Sequence, residues 1–188
     1  MTRPTLTAIF IAALATTPLP AMATVIGGKI MKQNGAGSFV KLDTDEPITV
    51  GYDTFDDDNL YAFDEDQNIL IDAPVRVDIG GEDGVIAPDT VVASHYVFFD
   101  SLRGVHIGYV DFDSAILGIA AFQDTMAATD FLANTDVEYI SPELRGLERG
   151  DIVWIDTEDP HRLWVYWAGS SPGDYIRVFT AKSAGAYS

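Results

Sequence analysis

The sequence predicts an all-β fold: an antiparallel two-sheet sandwich of the jelly-roll or Ig-like type with one short helix. Short runs rich in β-branched and aromatic residues recur along the chain, separated by clusters of Gly, Pro, Asp and Asn. Only one Ala-rich segment has the composition of a helix. No long helices alternate with the strands, which disfavours a doubly wound α/β fold.

The longest apolar tract outside the N-terminus, residues 91–122, is the expected centre of the fold. Residues 91–100 have apolar side chains on both faces, which predicts a strand covered on both sides in the middle of a sheet. A polar break at 100–104, ending in Gly104, predicts a hairpin with the run that follows. In that second run, Tyr109 should face away from Val110 because successive strand residues alternate.

The remaining elements are short. Turn signals bound each predicted strand: 38–42, 47–51, 59–63, 68–72, 75–79 and the closing strand 175–180. Residues 123–133 predict the helix, with Asp124 or Thr125 as its cap and its end before Asn134. Residues 151–156 and 163–167 predict a second hairpin, in which Trp167 belongs to the core and Trp154 pairs with Trp164.

The first 23 residues predict a secretory signal peptide. Arg3 precedes an apolar run over 6–19, and Ala21 and Ala23 match a small-x-small cleavage pattern, so the mature chain should begin at Thr24. The apolar run is interrupted and shorter than the ~20 residues of a membrane span. We therefore expect a secreted or periplasmic protein with no membrane span in the mature chain, a single domain over 24–181 and a flexible tail over 182–188.

The composition of the chain narrows the range of partners and chemistries that it can use. The chain has 29 Asp and Glu against 11 Lys and Arg, a net charge of −18, which argues against nucleic acid or anionic lipid. It contains no cysteine, which excludes disulfides, thiol catalysis and Cys-ligated zinc. The partner that remains is an unknown protein or a glycan, and cations are the natural small ligands of such a chain.

Several segments resemble an uncharacterised secreted bacterial domain. They are NLYAF at 59–63, SHYVFFD at 94–100, DFDSAILG at 111–118, DFL at 130–132, LRGLE at 144–148 and SPGDYIRV at 171–178. Such domains occur in exported proteins with a Pro-Glu-Pro type C-terminal sorting tail. The similarity covers about Asp53 to Ala181 and implies export and fold but no activity. No Pro-Glu-Pro follows Ala181 here, so the sorting tail is not implied.

The acidic segment 53–66 suggests calcium, which takes six to eight oxygen ligands. An EF-hand reading fails, because Ile69 stands where glycine is needed and Val75 where the bidentate Glu is needed. A different site remains open, formed by Asp56 or Asp58 with Asp64 or Asp66 across the strand 59–63. The alternative is a solvated acidic rim. Calcium is therefore the predicted cofactor, with these four residues as its ligands.

Two other groups of residues could carry chemistry. Asp111 and Asp113 share one face of a strand and could be the paired carboxylates of a glycoside hydrolase. His95 and His106 lie on the two arms of the predicted hairpin and could begin a zinc site, with Asp100 or Asp111 as a guessed third ligand. For His95 the alternative is a buried histidine with both nitrogens satisfied.

Aromatic residues crowd the last hairpin. We predict Trp154, Trp164 and Tyr166 as ligand-binding residues, with cross-strand packing as the alternative. Three functions thus stay open. The first is a non-enzymatic exported interaction or structural module of the cell envelope or extracellular matrix, stabilised by calcium. The others are a carbohydrate-binding module using the tryptophan hairpin and a glycoside hydrolase using the aspartate pair.

Overall fold

The computed structural model describes residues 23–33, 35–51, 54–100, 103–170 and 173–182. The predicted signal peptide, apart from Ala23, and residues 183–188 of the predicted tail lie outside the described residues. The strands β1 to β15 are, in chain order, Val25–Gln33, Phe39–Lys41, Ile48–Val50, Leu60–Asp64, Ile69–Ile71, Val75–Arg76, Ile79–Gly80, Val85–Ile86, Thr90–Phe99, Arg103–Phe112, Ile116–Ala120, Val137–Tyr139, Ile152–Ile155, Arg162–Ser170 and Asp174–Ala181. A short helix, α1, spans Gln123–Ala128, and 3-10 turns span Asp130–Leu132 and Pro142–Leu144.

The described chain is mostly β, with one short helix and several sheets. Sheet A has four antiparallel strands in the order β1-β10-β14-β13, and sheet B follows the order β2-β4-β9-β15-β11-β7, with β5 also paired to β9. Two pairs are parallel, β2 with β4 and β3 with β12, which corrects the prediction of a purely antiparallel arrangement. Both pairs join strands that are not consecutive, so the intervening chain is long enough for a parallel crossover.

Two hydrophobic clusters lie on opposite faces of sheet B. One fills the space between sheets A and B and includes Phe99, Phe112 and Trp167. The other lies on the far face of sheet B, where Phe98 packs in one cluster with Met126 of α1. Sheet B is therefore a middle layer, with sheet A on one side and the helix with its connections on the other.

The prediction of a central strand over 91–100 is confirmed by β9. It pairs with β4, β5 and β15, and residues 92–100 are all buried. Val97 belongs to the cluster between the sheets, and Phe98 belongs to the cluster on the far face. A strand covered on both faces needs apolar residues at consecutive positions, and this was the pattern in the sequence.

The predicted hairpin between residues 91–100 and the following run is wrong. Strand β9 lies in sheet B and β10 lies in sheet A, so the two strands pair with other strands and not with each other. A polar break containing glycine suits a hairpin and a crossing equally, and the choice depends on which distant strands pair with each arm. As a result the ring of Phe99 packs on His106 across the layers, with centroids 3.8 Å apart.

The predicted helix over 123–133 is present as α1 followed by a 3-10 turn. Its N-cap is Phe122, not the predicted Asp124 or Thr125. The entry to the helix is held by a distant residue, since the Asp78 carboxylate accepts hydrogen bonds from the N–H groups of Ala121 (2.7 Å) and Phe122 (2.9 Å) and from the Thr125 hydroxyl. These bonds fix the direction in which the chain enters the helix. Asp78 lies within the predicted strand 75–79, which forms as two short strands, β6 and β7, on either side of it.

The second predicted hairpin is confirmed. Strands β13 and β14 pair in antiparallel fashion, with Trp154 opposite Trp164. Trp167 is fully buried in the cluster between the sheets, as predicted. The register places Leu163 and Val165 on the inner face as well, so the intervening residues of β14 point outward.

The far face of sheet B encloses an ion pair between Arg177 and Glu65, and both side chains are fully buried. Arg177 donates to Glu65 through Nε (2.7 Å) and Nη2 (3.0 Å). Glu65 also accepts hydrogen bonds from the hydroxyls of Ser94 and Tyr139, each at 2.6 Å. Burial and the adjacent negative charge of Glu65 raise the pKa of Tyr139. Because both side chains are fully buried, the loss of either one would leave the charge of the other buried without a partner.

Candidate functional site

The outer face of sheet A, turned away from sheet B, carries a set of aromatic and apolar side chains. Strand alternation points Val110, Leu163 and Val165 inward, where they are fully buried, and sends their neighbours outward. We call the outward residues of β10, β13 and β14 the aromatic face; they are Ile107, Tyr109, Asp111, Ile152, Trp154, Arg162, Trp164 and Tyr166.

Three rings form a row across this face. Tyr109 lies opposite Trp164, and Trp164 lies opposite Trp154. The Tyr109 and Trp164 ring centroids are 5.2 Å apart in a T-shaped arrangement, and the two indoles are 5.9 Å apart and nearly parallel, at 7°. Trp154 is 39% exposed and the neighbouring Ile152 is 56% exposed. The row therefore presents apolar ring surface that a ligand can contact.

Charged groups hold the row in position. Arg162 donates two hydrogen bonds to Asp111, from Nε at 2.7 Å and from Nη2 at 3.0 Å, and its guanidinium lies 4.0 Å from the centroid of the Tyr109 ring. The indole N–H of Trp164 donates to Asp156 at 2.7 Å. This hydrogen bond holds the pKa of Asp156 below its ordinary value, so the carboxylate stays charged beside the row.

The structure brings the three predicted ligand-binding residues, Trp154, Trp164 and Tyr166, to this one face. Sequence reasoning missed Tyr109 and Arg162 as members of the same surface. Alternation showed that Tyr109 points away from the core. The pairing of β10 with β14, which sets Tyr109 beside Trp164, is a long-range contact for which the sequence carries no local signal.

The four predicted calcium ligands, Asp56, Asp58, Asp64 and Asp66, do not converge. Asp58 precedes strand β4 and Asp64 ends it, and the five residues of that strand alone span about 13 Å. Asp56 is exposed, Asp58 accepts a hydrogen bond from the Ala36 N–H at 3.3 Å, and burial raises the pKa of Asp66. Among the residues that the structure describes, no three Asp, Glu or His side chains are grouped to hold one metal ion. Calcium binding stays a prediction.

Asp64 has other partners at the start of β1. Its carboxylate accepts hydrogen bonds from the Val25 N–H (2.8 Å) and the Thr24 hydroxyl (2.6 Å), and it pairs with Lys41 (2.7 Å) and with Nδ1 of His95 (2.8 Å). Burial opposes its ionisation, but the hydrogen bond and charge of His95 and the hydrogen bonds of Lys41 and Thr24 lower the pKa of Asp64 overall. Asp64 is therefore an ionised hub that ties β1 to the strands around it.

The two central histidines do not form a shared metal site. His95 is fully buried, and its second nitrogen, Nε2, bonds the Thr180 hydroxyl at 2.9 Å, so both of its nitrogens are satisfied, as one alternative predicted. Nε2 of His106 bonds the main-chain oxygen of Asp58 at 3.1 Å. Burial lowers the pKa of His106, which keeps its ring neutral. Asp100, a guessed third ligand, instead accepts a hydrogen bond from the Phe55 N–H at 3.0 Å.

Asp111 and Asp113, the predicted hydrolase pair, have separate partners. Asp111 is held by Arg162, and Asp113 accepts a hydrogen bond from the Thr24 N–H at 3.0 Å. The geometry therefore lends the pair no support as an acid and base.

A different carboxyl pair joins the two sheets near the start of β15. Asp174 is only 1% exposed, and burial together with the adjacent Asp151 carboxylate raises the pKa of Asp174 to about 9. Asp151 accepts hydrogen bonds from the N–H groups of Glu148 and Ala168, each at 2.8 Å. At neutral pH Asp174 thus carries a proton that it can share with Asp151.

An open cleft of about 570 Å³ lies beside the buried ion pair of Glu65. Its lining comes from three separate parts of the chain: Lys41, Leu42, Asp43, Thr44, Asp45, Asp64, Glu65, Gln67 and Asn134. Sequence reasoning did not find this cleft, because residues so far apart in the chain carry no common local pattern. The cleft is acidic and lacks the aromatic surface seen on sheet A.

Neither the sequence nor the fold matches a known protein family, a curated protein or a solved structure. The resemblance to a secreted bacterial domain therefore stays a prediction. Across the described ranges, no helix has both the length and the apolar composition needed to cross a membrane.

Proposed function

We propose that the protein is a non-enzymatic, exported binding module of the cell envelope or extracellular matrix. Its two large sheets form a sandwich of the jelly-roll or Ig-like class, and the aromatic face of sheet A is its binding surface. The observation that carries this proposal is the row of Tyr109, Trp164 and Trp154 on three adjacent strands, with Trp154 39% exposed.

The proposed ligand is a carbohydrate chain. One side of a sugar ring consists of C–H groups, which pack against the face of an indole, while the hydroxyls require hydrogen-bond partners. Trp154 and Trp164 offer the apolar surface. Arg162, Asp156 and the Tyr166 hydroxyl offer donors and acceptors at its margins.

The charge of the chain supports a neutral sugar. With a net charge of −18, the protein repels polyanions over most of its surface, whereas an uncharged polysaccharide has no such barrier to approach. The few cations near the site are already engaged, since Arg162 is held by Asp111. A neutral polysaccharide that lies along the row of rings is not repelled by the protein and does not need a free cation at the site.

The test is binding to a glycan array, followed by affinity electrophoresis in gels that contain the polysaccharides found. Trp154→Ala and Trp164→Ala should each weaken binding by about tenfold or more, because the contacts of a central aromatic side chain are commonly worth 1.4 kcal/mol or above. The control is Phe131→Ala, which removes a ring that is more exposed, at 60%, and that lies outside sheet A, in the 3-10 turn Asp130–Leu132.

Binding that survives the loss of both tryptophans would contradict the proposal. So would an equal loss in Phe131→Ala, which would indicate non-specific adhesion of exposed rings. Absence of any glycan ligand on a broad array would also count against a carbohydrate partner and favour a protein partner at this face.

A further inference from the structure

The first residue of the predicted mature chain, Thr24, is held by Asp113, which directly follows β10. The Thr24 N–H donates to Oδ1 of Asp113 at 3.0 Å, and the Asp113 N–H donates to the Thr24 carbonyl at 3.0 Å. The two residues lie 89 positions apart in the sequence. Asp113 therefore anchors both main-chain groups of Thr24 immediately before β1 begins.

Three carboxylates lie around Thr24, and only two of them pair with a Lys or Arg side chain among the described residues. Asp64 pairs with Lys41 at 2.7 Å, and Asp111 pairs with Arg162 at 2.7 Å. Within the described ranges Asp113 takes part in no ion pair with Lys, Arg or His. Its hydrogen-bond donor at the side chain is the Thr24 N–H, an uncharged amide as long as Ala23 precedes it.

The sequence predicts cleavage at this amide. Hydrolysis of the bond between Ala23 and Thr24 by an export peptidase adds the hydroxyl of water to the Ala23 carbonyl carbon and a proton to the Thr24 nitrogen. The leader leaves with a carboxylate, and Thr24 becomes an α-amine, which is protonated at neutral pH. The donor that faces Asp113 thus changes from a neutral amide to a cation.

We infer that Asp113 is the acceptor built for the new α-ammonium group of Thr24, so that processing after Ala23 supplies the cation that this carboxylate lacks. An amide already positioned at 3.0 Å becomes an ammonium at the same distance, which makes a charge-assisted hydrogen bond without any rearrangement of the chain. The strand β1 then begins at a terminus that is fixed by an ion pair.

The surroundings of the Thr24 nitrogen favour its charged form. Asp113 bonds it directly, and Asp64 lies one residue further on, where it accepts from the Thr24 hydroxyl and the Val25 N–H. The opposing charge is Lys41, whose Nζ donates to the Thr24 hydroxyl and is itself neutralised by Asp64. Because the charges of Lys41 and Asp64 offset each other, the negative charge of Asp113 is the one that remains next to the Thr24 nitrogen.

The order of events also follows from burial. Ala23 is fully buried in the folded chain, so a peptidase cannot reach the bond that follows it once the strand has formed. Cleavage therefore acts on the chain before β1 docks. The ion pair with Asp113 forms afterwards and holds the trimmed end in place.

The experiment uses the full 188-residue chain, expressed with export in a bacterial host and collected as the processed protein. Mass spectrometry of the intact protein and of its N-terminal peptide should identify Thr24 as the first residue. The α-amine is then titrated by NMR in the folded protein. Its deprotonation midpoint should lie about one pH unit or more above the ordinary value near 8, as an opposite charge at hydrogen-bond distance produces.

Asp113→Asn keeps the side-chain acceptor but removes its charge, so the midpoint should return to the ordinary value while the protein stays folded. Asp124→Asn, at an exposed carboxylate on α1, is the matched control and should leave the midpoint unchanged. A first residue other than Thr24 overturns the inference. An ordinary midpoint in the unaltered protein, or a raised one that Asp113→Asn leaves in place, overturns it as well.

Discussion

The two outward faces of the layered sheets have similar contents and opposite surroundings. The far face of sheet B carries Phe98 and an arginine, Arg177, paired with a carboxylate and lying 5.7 Å from the Tyr96 ring. The outer face of sheet A carries tryptophans and an arginine, Arg162, paired with a carboxylate and lying over a tyrosine. Phe98 and Arg177 are fully buried, whereas Trp154 is 39% exposed.

The difference between these faces is the presence of a third layer. Helix α1, the 3-10 turn after it and strand β12 supply Met126, Leu132 and Val137 to the cluster on sheet B. The aromatic face of sheet A keeps ring surface open to solvent. Aromatic content alone therefore does not distinguish a core from a binding surface, and the element that packs against a sheet decides between them.

The largest expected effect comes from breaking the covered ion pair. Arg177→Met should lower the free energy of unfolding by about 3–5 kcal/mol, because it leaves Glu65 buried without its partner. The matched change on the open face, Arg162→Met, should cost about 1 kcal/mol or less, since water solvates Asp111 in its place. Urea unfolding of both variants measures the difference, and equal losses would show that the faces are energetically alike.

A second effect concerns the carboxyl pair at which the two sheets meet. Between its ordinary pKa of 3.8 and about 9, Asp174 binds a proton in the folded protein that the unfolded chain releases. Its contribution to stability is therefore complete below pH 3.8 and is lost as the pH rises towards 9. Asp174→Asn, which is neutral at every pH, removes this dependence.

Unfolding curves at several pH values test this expectation. Between pH 5 and 8 the stability of Asp174→Asn relative to the unaltered protein should rise by at most ~1.4 kcal/mol per pH unit. Asp72→Asn, at an exposed carboxylate, serves as the control and should follow the parent curve. Parallel curves for Asp174→Asn and the parent would mean that Asp174 is ionised when folded.

The smallest expected effect is on the stability of the open face. Trp154→Ala removes the stacked contact with Trp164, which is worth about 0.5–1.5 kcal/mol, from an indole that is already 39% exposed. A small change in unfolding midpoint together with a large loss of glycan binding would separate a surface made for a ligand from one that supports the fold. A loss above 3 kcal/mol would place Trp154 with the core instead.

Local patterns predicted much of the fold. The unbroken apolar run of β9 predicted a strand buried on both faces, and alternation predicted that Tyr109 turns away from Val110. The tryptophan hairpin was predicted with its correct pairing, because two strand signals flank a short polar turn and local contacts suffice to set the register. Trp154, Trp164 and Tyr166 were identified from the same segment.

The failures share one cause, which is pairing between distant segments. A short polar break looked like a hairpin although β9 and β10 enter different sheets. Asp78 falls in a predicted strand, although its carboxylate holds the chain at the entry to α1, more than 40 positions later. Asp58 and Asp64 looked like ligands to one ion although a whole strand separates them. In each case the outcome depends on the spatial arrangement of segments, which the local sequence pattern does not specify.

The sequence by itself determined the mostly β character of the chain, the strands and turns that local propensity and periodicity specify, and the absence of cysteine chemistry. The tertiary structure alone decided which aromatic residues are covered, which carboxylates find cations and that Thr24 meets Asp113. The physical reason is that burial and charge compensation depend on what packs across the space between segments. A strand with the same alternation becomes core when a layer covers it and a surface for ligands when none does.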